Sequence, residues 1–471
     1  MSYLINILAF IFILGGAVVL HEFGHFLVAK LLKIRVETFS VGFGPRLWGR
    51  KIGTTDYRLS AIPLGGYVKL GGDESNAPIE GAGASDIPPQ EQFNLRPRWQ
   101  RIAVAVAGPV MNILTALTIP FMGALLFGVP VNPAPVVSQI KPEGAAQVAG
   151  LRRGDRIVAF NGVENPSWDR IRGDSLLSPG QPIPLVIERD GQRTQLTITP
   201  TRQVESGETI GALDFLPDYG SLPVLVRQIE PGTPAEEAGL KVGDRIVAIG
   251  GESVTSAEQV SQYIKEHKSE PIRLTVERGG SRQDITAKTR LLPDGRERLG
   301  FLPDEEMPLE RVGPASAAGY AVRSNIEILR LTGKALGQFF TGQRSAKDTV
   351  SGPIGIARAS SQAVTIGGWG GVFTMLAFLS LSLGVFNLLP IPVLDGGAIF
   401  LLLVEAALGW IGVKLSMTVR ERIQQVGFVL LLLLMGLVIF NDLNKEYSRW
   451  GAPSPPQQQQ QQPANGGAPQ K

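Results

Sequence analysis

The sequence predicts a polytopic α-helical membrane protein. It should have four transmembrane helices, a duplicated α+β insertion on the far side of the membrane, and a membrane-associated β-loop on the near side. Three observations predict this. Apolar residues are gathered into four long stretches, Lys and Arg cluster beside one set of their ends, and a sequence pattern in the middle recurs at a fixed offset of 89 residues.

The bulk composition narrows the classes. A chain of 471 residues with 18% charged residues and a net charge of +3 lacks the basic, aromatic-interleaved surface that nucleic-acid binding requires. There is no cysteine, so disulfides, thiolate metal sites and a cysteine nucleophile are excluded together. Any metal must be held by histidine and carboxylate, and the chain has three histidines: His21, His25 and His267.

The first segment, 1–35, holds an apolar stretch over 4–32. It lacks a basic leader and a cleavage site, so it reads as a retained helix rather than a signal peptide. The second, 101–131, is apolar from 102. The third, 372–413, is apolar over 372–394, with a further apolar piece at 398–413 that is either a half-helix or an interfacial one. The fourth, 414–445, centres on 426–440. Each is long enough to be weighed against a hydrocarbon core about 30 Å thick. Lys30, Lys33, Arg35, Arg46, Arg50 and Lys51 follow the first segment. Arg96, Arg98 and Arg101 precede the second, and Lys414, Arg420 and Arg422 lie between the third and fourth. Positive loops stay in the cytoplasm, so the N-terminus, the middle region and the C-terminal tail lie on the other side, the periplasm of a Gram-negative cell.

Two polar clusters interrupt the apolar segments. His21-Glu22-Phe23-Gly24-His25 is an H-E-x-x-H pattern. Residues four apart share a helix face, so both imidazoles can reach one ion, and Glu22 between them can take a proton from a water that the ion activates. Charge inside an apolar helix costs roughly 2.5–3.5 kcal/mol, so a partner or a function is expected. The alternative is that His21 and Glu22 merely end the helix at the membrane surface. Zinc that does chemistry usually takes three protein ligands, and Asp395 is the candidate third. It lies in Asn387-Leu388-Leu389-Pro390-Ile391-Pro392-Val393-Leu394-Asp395-Gly396-Gly397, where two prolines break a helix and two glycines free the backbone. The alternative there is an ordinary turn leaving the membrane. Depth favours one site: His21 lies roughly 25 Å, and Asp395 roughly 35 Å, along helices that both start on the far side.

With these residues the sequence resembles the site-2 protease family of intramembrane zinc metalloproteases. The resemblance implies that His21, His25 and Asp395 bind Zn2+, that Glu22 is the catalytic base, and that Asn387 contacts substrate. Gly108-Pro109-Val110-Met111-Asn112, opening the second segment, also resembles a family motif. Ala398 departs from the histidine that many relatives carry after the double glycine, at a position that is not a required ligand.

The remaining parts follow in order. Residues 36–100 read as short strands around Val36, Phe39, Val41, Phe43, Tyr57, Leu59 and Ala61, punctuated by glycines, then a mobile linker over 74–92. Such a β-loop either pairs with an unwound substrate or only braces the helices. Gly150-Leu151-Arg152-Arg153-Gly154-Asp155 recurs as Gly239-Leu240-Lys241-Val242-Gly243-Asp244, and Glu188-Arg189 recurs as Glu277-Arg278. The two copies, 132–218 and 219–305, each resemble a PDZ domain of the bacterial envelope-protease type, which implies peptide capture or a steric gate. His267, after the predicted helix 256–265, reads as a surface residue near a helix C-terminus. Residues 306–371 are an amphipathic region whose predicted helix, 317–340, lies on the membrane or packs on the second copy. Residues 446–471, with six successive glutamines, read as a disordered tail.

The expected partners are transmembrane protein substrates, membrane lipid and no nucleic acid. The family resemblance implies cleavage of a pre-trimmed, single-span anti-sigma factor in an envelope stress response, and of remnant signal peptides. The rival reading is a catalytically silent membrane scaffold that recruits peptides through its PDZ pair. A metal-ion transporter would want ligand clusters repeated across the membrane, and none occurs.

Overall fold

The computed structural model describes residues 2–73, 87–131, 133–205, 208–219, 222–268, 270–291, 297–343, 352–410 and 417–450. Among them, four helices are long and apolar enough to cross a membrane: Ile7–Leu31, Arg98–Phe127, Gly367–Asn387 and Gln425–Asn444. These fall on the four stretches expected from hydropathy. The expected tail lies mostly outside the described residues.

The first span is one rod made of α1 (Ser2–Phe10), a π turn (Ile11–Gly15) and α2 (Gly16–Leu31). It packs on α3 (Arg98–Phe127) through small residues. A β-carbon at Gly24 would meet the Ala107 carbonyl carbon at 2.8 Å, so glycine is what lets the backbones approach.

Between them, β1 (Val36–Ile52) and β2 (Thr55–Leu70) form a long hairpin that folds back on itself. Thr38 pairs with both Lys69 and Asp56, and Phe39 with both Val68 and Tyr57. Two chain segments therefore make a four-stranded layer, with Gly42 and Gly44 at positive φ where β1 bends. Phe26 of α2 holds the layer by packing against Phe39 and Tyr57. The expected mobile linker is corrected in part. Residues 74–86 lie outside the described set. Glu91 O accepts from the Arg35 amide at 2.9 Å, and the Phe93 amide donates to Gly71 O at 2.8 Å, so this end of the segment is fastened to the β-layer.

Each repeat folds around its own sheet. In the first copy, β3 (Val136–Ile140), β4 (Arg156–Phe160), β5 (Ile183–Arg189), β6 (Gln192–Ile198) and β7 (Phe215–Asp218) run in the order β7-β3-β4-β5-β6, flanked by α4 (Ala145–Val148) and α5 (Trp168–Leu176). In the second, β8 (Val224–Ile229), β9 (Arg245–Ile249), β10 (Pro271–Arg278), β11 (Ser281–Lys288) and β12 (Phe301–Glu305) run β11-β10-β9-β8-β12, with α6 (Pro234–Glu237) and α7 (Ala257–Glu266). The duplication extends to single atoms. Arg189 Nε and Nη2 donate to Asp155 at 2.7 Å each, and Arg278 donates in the same way to Asp244 at 2.6 Å. Both aspartates are buried, and both arginines also reach the carbonyl of the preceding Gly150 or Gly239. His267 caps α7, stacked on Tyr263 with its Nδ1–H donating to the Tyr263 carbonyl.

Helix α8 (Pro314–Phe340) docks on α3 and on the first repeat, where the sequence offers the membrane surface or the second copy. Ala317 and Ala321 are buried, and Asn325 Nδ2 donates to Ala116 O of α3 at 3.0 Å. Arg330 and Lys334 pair with Asp174 of α5, at 2.7 and 3.5 Å.

Helix α9 (Pro353–Asn387) starts earlier than the expected third segment and kinks at Gly368, which takes φ 53°. It stops before Pro390 and Pro392. The turn over 388–394 leads into α10 (Asp395–Trp410), whose 16 residues span about 24 Å, short of a bilayer core. The break falls at the two prolines that predict it, and the apolar piece from 398 belongs to the separate short helix α10. Helix α11 (Met417–Trp450) closes the fold, and its Asp442 accepts from the amides of Gly352, Ile354 and Gly355 at the start of α9.

Candidate metal centre

His21 and His25 lie one turn apart on α2, and both face α3 and the 388–397 turn. Asp395 opens α10, a first-turn position where the helix dipole favours a carboxylate. The turn that delivers it is tight. A β-carbon at Gly396 or Gly397 would run into the carbonyls of Leu388, Leu389 or Ile391, which accounts for the double glycine. Val393 sits at φ 84°, a strained conformation for a β-branched residue.

The three side chains converge. His21 Nε2 is 3.0 Å from Asp395 Oδ2, His25 Nε2 is 3.5 Å from Asp395 Oδ1, and the two Nε2 atoms are 3.2 Å apart. His25 Nδ1 faces the Val104 carbonyl at 2.7 Å. A carbonyl only accepts, so Nδ1 carries the proton and Nε2 keeps its lone pair. The His25 lone pair and a carboxylate this close call for a cation beside them. Two ligand atoms held at 2.0–2.1 Å by one zinc would lie about 3.3 Å apart, and each of the three contacts, two of them to different oxygens of Asp395, is close to that length. Two imidazoles and one carboxylate suit zinc, and they leave a fourth position for chemistry.

Glu22 is within electrostatic range of His25, His21 and Asp395, and the Val68 main chain of β2 lies beside its carboxylate. Asn387, the last residue of α9, places Nδ2 at 3.5 Å from His21 Nε2. All five residues singled out from sequence therefore meet at one place.

Three neighbours on α3 carry no assigned role in the sequence reading. Val104 O orients His25. Asn112, fully buried, sets Nδ2 at 3.2 Å from His21 Nδ1. Gly108 leaves room for both rings. Their spacing of four residues, one face of a helix, was the available signal.

Known proteins resemble the chain over most of its length. The model of "Peptidase family M50" matches residues 9–434. The chain is 33% identical over 476 residues to "Protease RseP" of Yersinia pestis, and 32% over 476 residues to "Regulator of sigma-E protease RseP" of Escherichia coli K12. In each case 94% of this chain and 100% of the relative are covered. It is 31% identical to a "Putative zinc metalloprotease" of Vibrio cholerae, over 93% of this chain and 98% of that one. Among solved structures, PDZ domains of SdrC-like proteins from Listeria monocytogenes and Listeria innocua match 18% and 19% of the chain, and 90% and 99% of their own. Their identities are 21% and 25%, with TM-scores of 0.17 and 0.16. With the family model matching most of its length, the chain belongs to peptidase family M50.

Proposed function

We propose that this chain is a zinc metalloprotease of the bacterial inner membrane that cuts membrane-spanning substrates within or at the edge of the bilayer. The observation that carries the reading is the convergence of His21 and His25, from the first span, with Asp395, from the far end of the chain, on one point beside Glu22. His21, His25 and Asp395 hold the metal. Bound zinc supplies Lewis acidity to a water and to the scissile carbonyl. Glu22 removes the water proton and returns it to the leaving amine. Asn387, at the mouth of the helix break, holds the substrate backbone. Residues 66–70 of β2 pair on one side with β1, and their other side lies near Glu22, suited to an extended peptide.

The two repeats act as PDZ domains on the periplasmic side, and the site lies toward the cytoplasm. They admit chains already trimmed of bulky periplasmic parts. The substrates are single-span proteins such as an anti-sigma-E factor, together with remnant signal peptides. The name of the Escherichia coli relative, a regulator of sigma-E, supports the link to sigma-E. A silent scaffold with a structural metal would favour a fourth protein ligand, and among the described residues the cluster offers three.

The test is cleavage of a single-span reporter with a short periplasmic stub, by wild type and by Glu22→Gln in the same membranes. The reading expects cleavage by the wild type and a zinc-loaded, inactive variant. Equal cleavage by both assigns the activity to another protease. Failure of the wild type on a panel of trimmed spans favours the scaffold.

A further inference from the structure

His25 has a defined partner for the ring nitrogen that faces away from Asp395. His21 presents a puzzle at the same place. Its Nδ1 faces Asn112 Nδ2 at 3.2 Å. An amide nitrogen donates, so this arrangement leaves Nδ1 as the acceptor and moves the ring proton to Nε2, the atom 3.0 Å from Asp395. In that tautomer His21 cannot offer Nε2 to an ion. The same arrangement leaves Asn112 Oδ1 buried and without a hydrogen-bond partner. Both problems lie on one side chain that is fully buried. An amide has nearly the same shape either way round, so it can turn over in place.

We infer that Asn112 is a positioning residue for His21. In the zinc-loaded protein its amide presents Oδ1 to His21 Nδ1–H, fixing the tautomer that leaves Nε2 free for the metal. This rests on the reading that His21, His25 and Asp395 bind zinc. Helix α3 then orients both imidazoles: His25 through the Val104 carbonyl, His21 through a side-chain carbonyl two turns further on. The role needs an acceptor on Asn112. It needs no contact between Asn112 and substrate.

The experiment uses the full chain in detergent, with zinc itself as the probe. Zinc affinity is measured by competition with a fluorescent chelator for wild type, His21→Ala, Asn112→Leu and Asn112→Asp. Asn112→Leu keeps the branched shape and loses the acceptor, and Asn112→Asp keeps an acceptor. The expected result is a 10- to 100-fold weaker affinity for the leucine variant, the usual cost of removing such a partner, and recovery to at least wild-type affinity in the aspartate variant. Should the leucine variant misfold, Asn112→Ala gives the same comparison. The chain has three histidines, so ring-15N labelling yields a simple spectrum. The His21 Nδ1–H signal should lose its hydrogen-bonded character in Asn112→Leu, and the His25 signal should keep it. Wild-type affinity in Asn112→Leu, or aspartate as weak as leucine, overturns the proposal. Zinc bound equally well by wild type and His21→Ala, or by neither, overturns the underlying ligand reading instead.

Discussion

Gly108 lies so close to His25 that a β-carbon on it would meet the imidazole Cε1 at 2.7 Å, and the His21 Cε1 at 2.8 Å. The two rings thus fill the space where an ordinary residue would carry its side chain. Gly108→Ala should push both imidazoles off their common point. A displacement near 1 Å at a reacting site costs on the order of 100-fold in rate. Reporter cleavage should fall by about that factor, with zinc content falling alongside. A fully loaded, fully active alanine variant would falsify the packing relation.

The strain at Val393 predicts a trade. Glycine tolerates φ 84°, so Val393→Gly should relieve strain and, after the added chain entropy, raise stability by about 1 kcal/mol. Asp395 is two residues on, and its placement should loosen. The melting temperature of the zinc-free protein should rise while zinc affinity drops. A variant that melts lower without zinc contradicts the strain assignment.

Asp174 fastens α8 to the first repeat. Burial alone would raise its pKa. The Asn161 hydrogen bond, the Arg330 contact, the Lys334 charge and Arg170 together outweigh burial and hold it below its usual 3.8. A depressed carboxylate stabilises the fold above its unfolded value and loses that contribution as pH falls through the folded one. Protection of α8 from proteolysis should therefore be full at neutral pH and decline below about pH 4. Asp174→Asn removes the carboxylate that Arg170, Arg330 and Lys334 share, leaving Glu327 to the two arginines, and should cost about 2 kcal/mol at pH 7. It should also flatten the pH dependence measured by thermal unfolding in detergent.

The paired contacts Arg189–Asp155 and Arg278–Asp244 should behave alike. Removing either arginine leaves a buried carboxylate uncompensated, at roughly 3 kcal/mol to its own repeat. Lysine should rescue neither, because one ammonium cannot reproduce the two parallel bonds. Limited proteolysis of Arg189→Lys and Arg278→Lys checks this. Unequal exposure of the two repeats would show that the copies have diverged in what holds them.

The chemistry of the site was legible because H-E-x-x-H is local. Two histidines four residues apart on one helix face announce themselves, and the prolines and glycines around Asp395 mark a break that a plain span does not need. The duplication was legible from its fixed offset, down to Asp155 and Arg189, although nothing local says that those two side chains meet. The functions of Val104, Gly108 and Asn112 were not legible. Gly108 and Asn112 stand in a motif and the three share a helix spacing, but each acquires its role from a ring on another helix. The same holds for the double pairing of Thr38, which depends on where β2 returns, and for the docking of α8, where Arg330 and Lys334 find Asp174 across a long loop of chain.

The π turn over Ile11–Gly15 has a consequence for register. One surplus residue in a helix turns everything beyond it by about 100°. The stripe that α1 shows to its neighbours is therefore out of phase with the face that carries the two histidines. Deleting one residue from this turn would restore a plain helix. It would leave His21 and His25 facing α3 and rotate the first nine residues of the rod by more than a quarter of a circle. Within one span, the clock of the membrane anchor and the clock of the reaction centre are set independently.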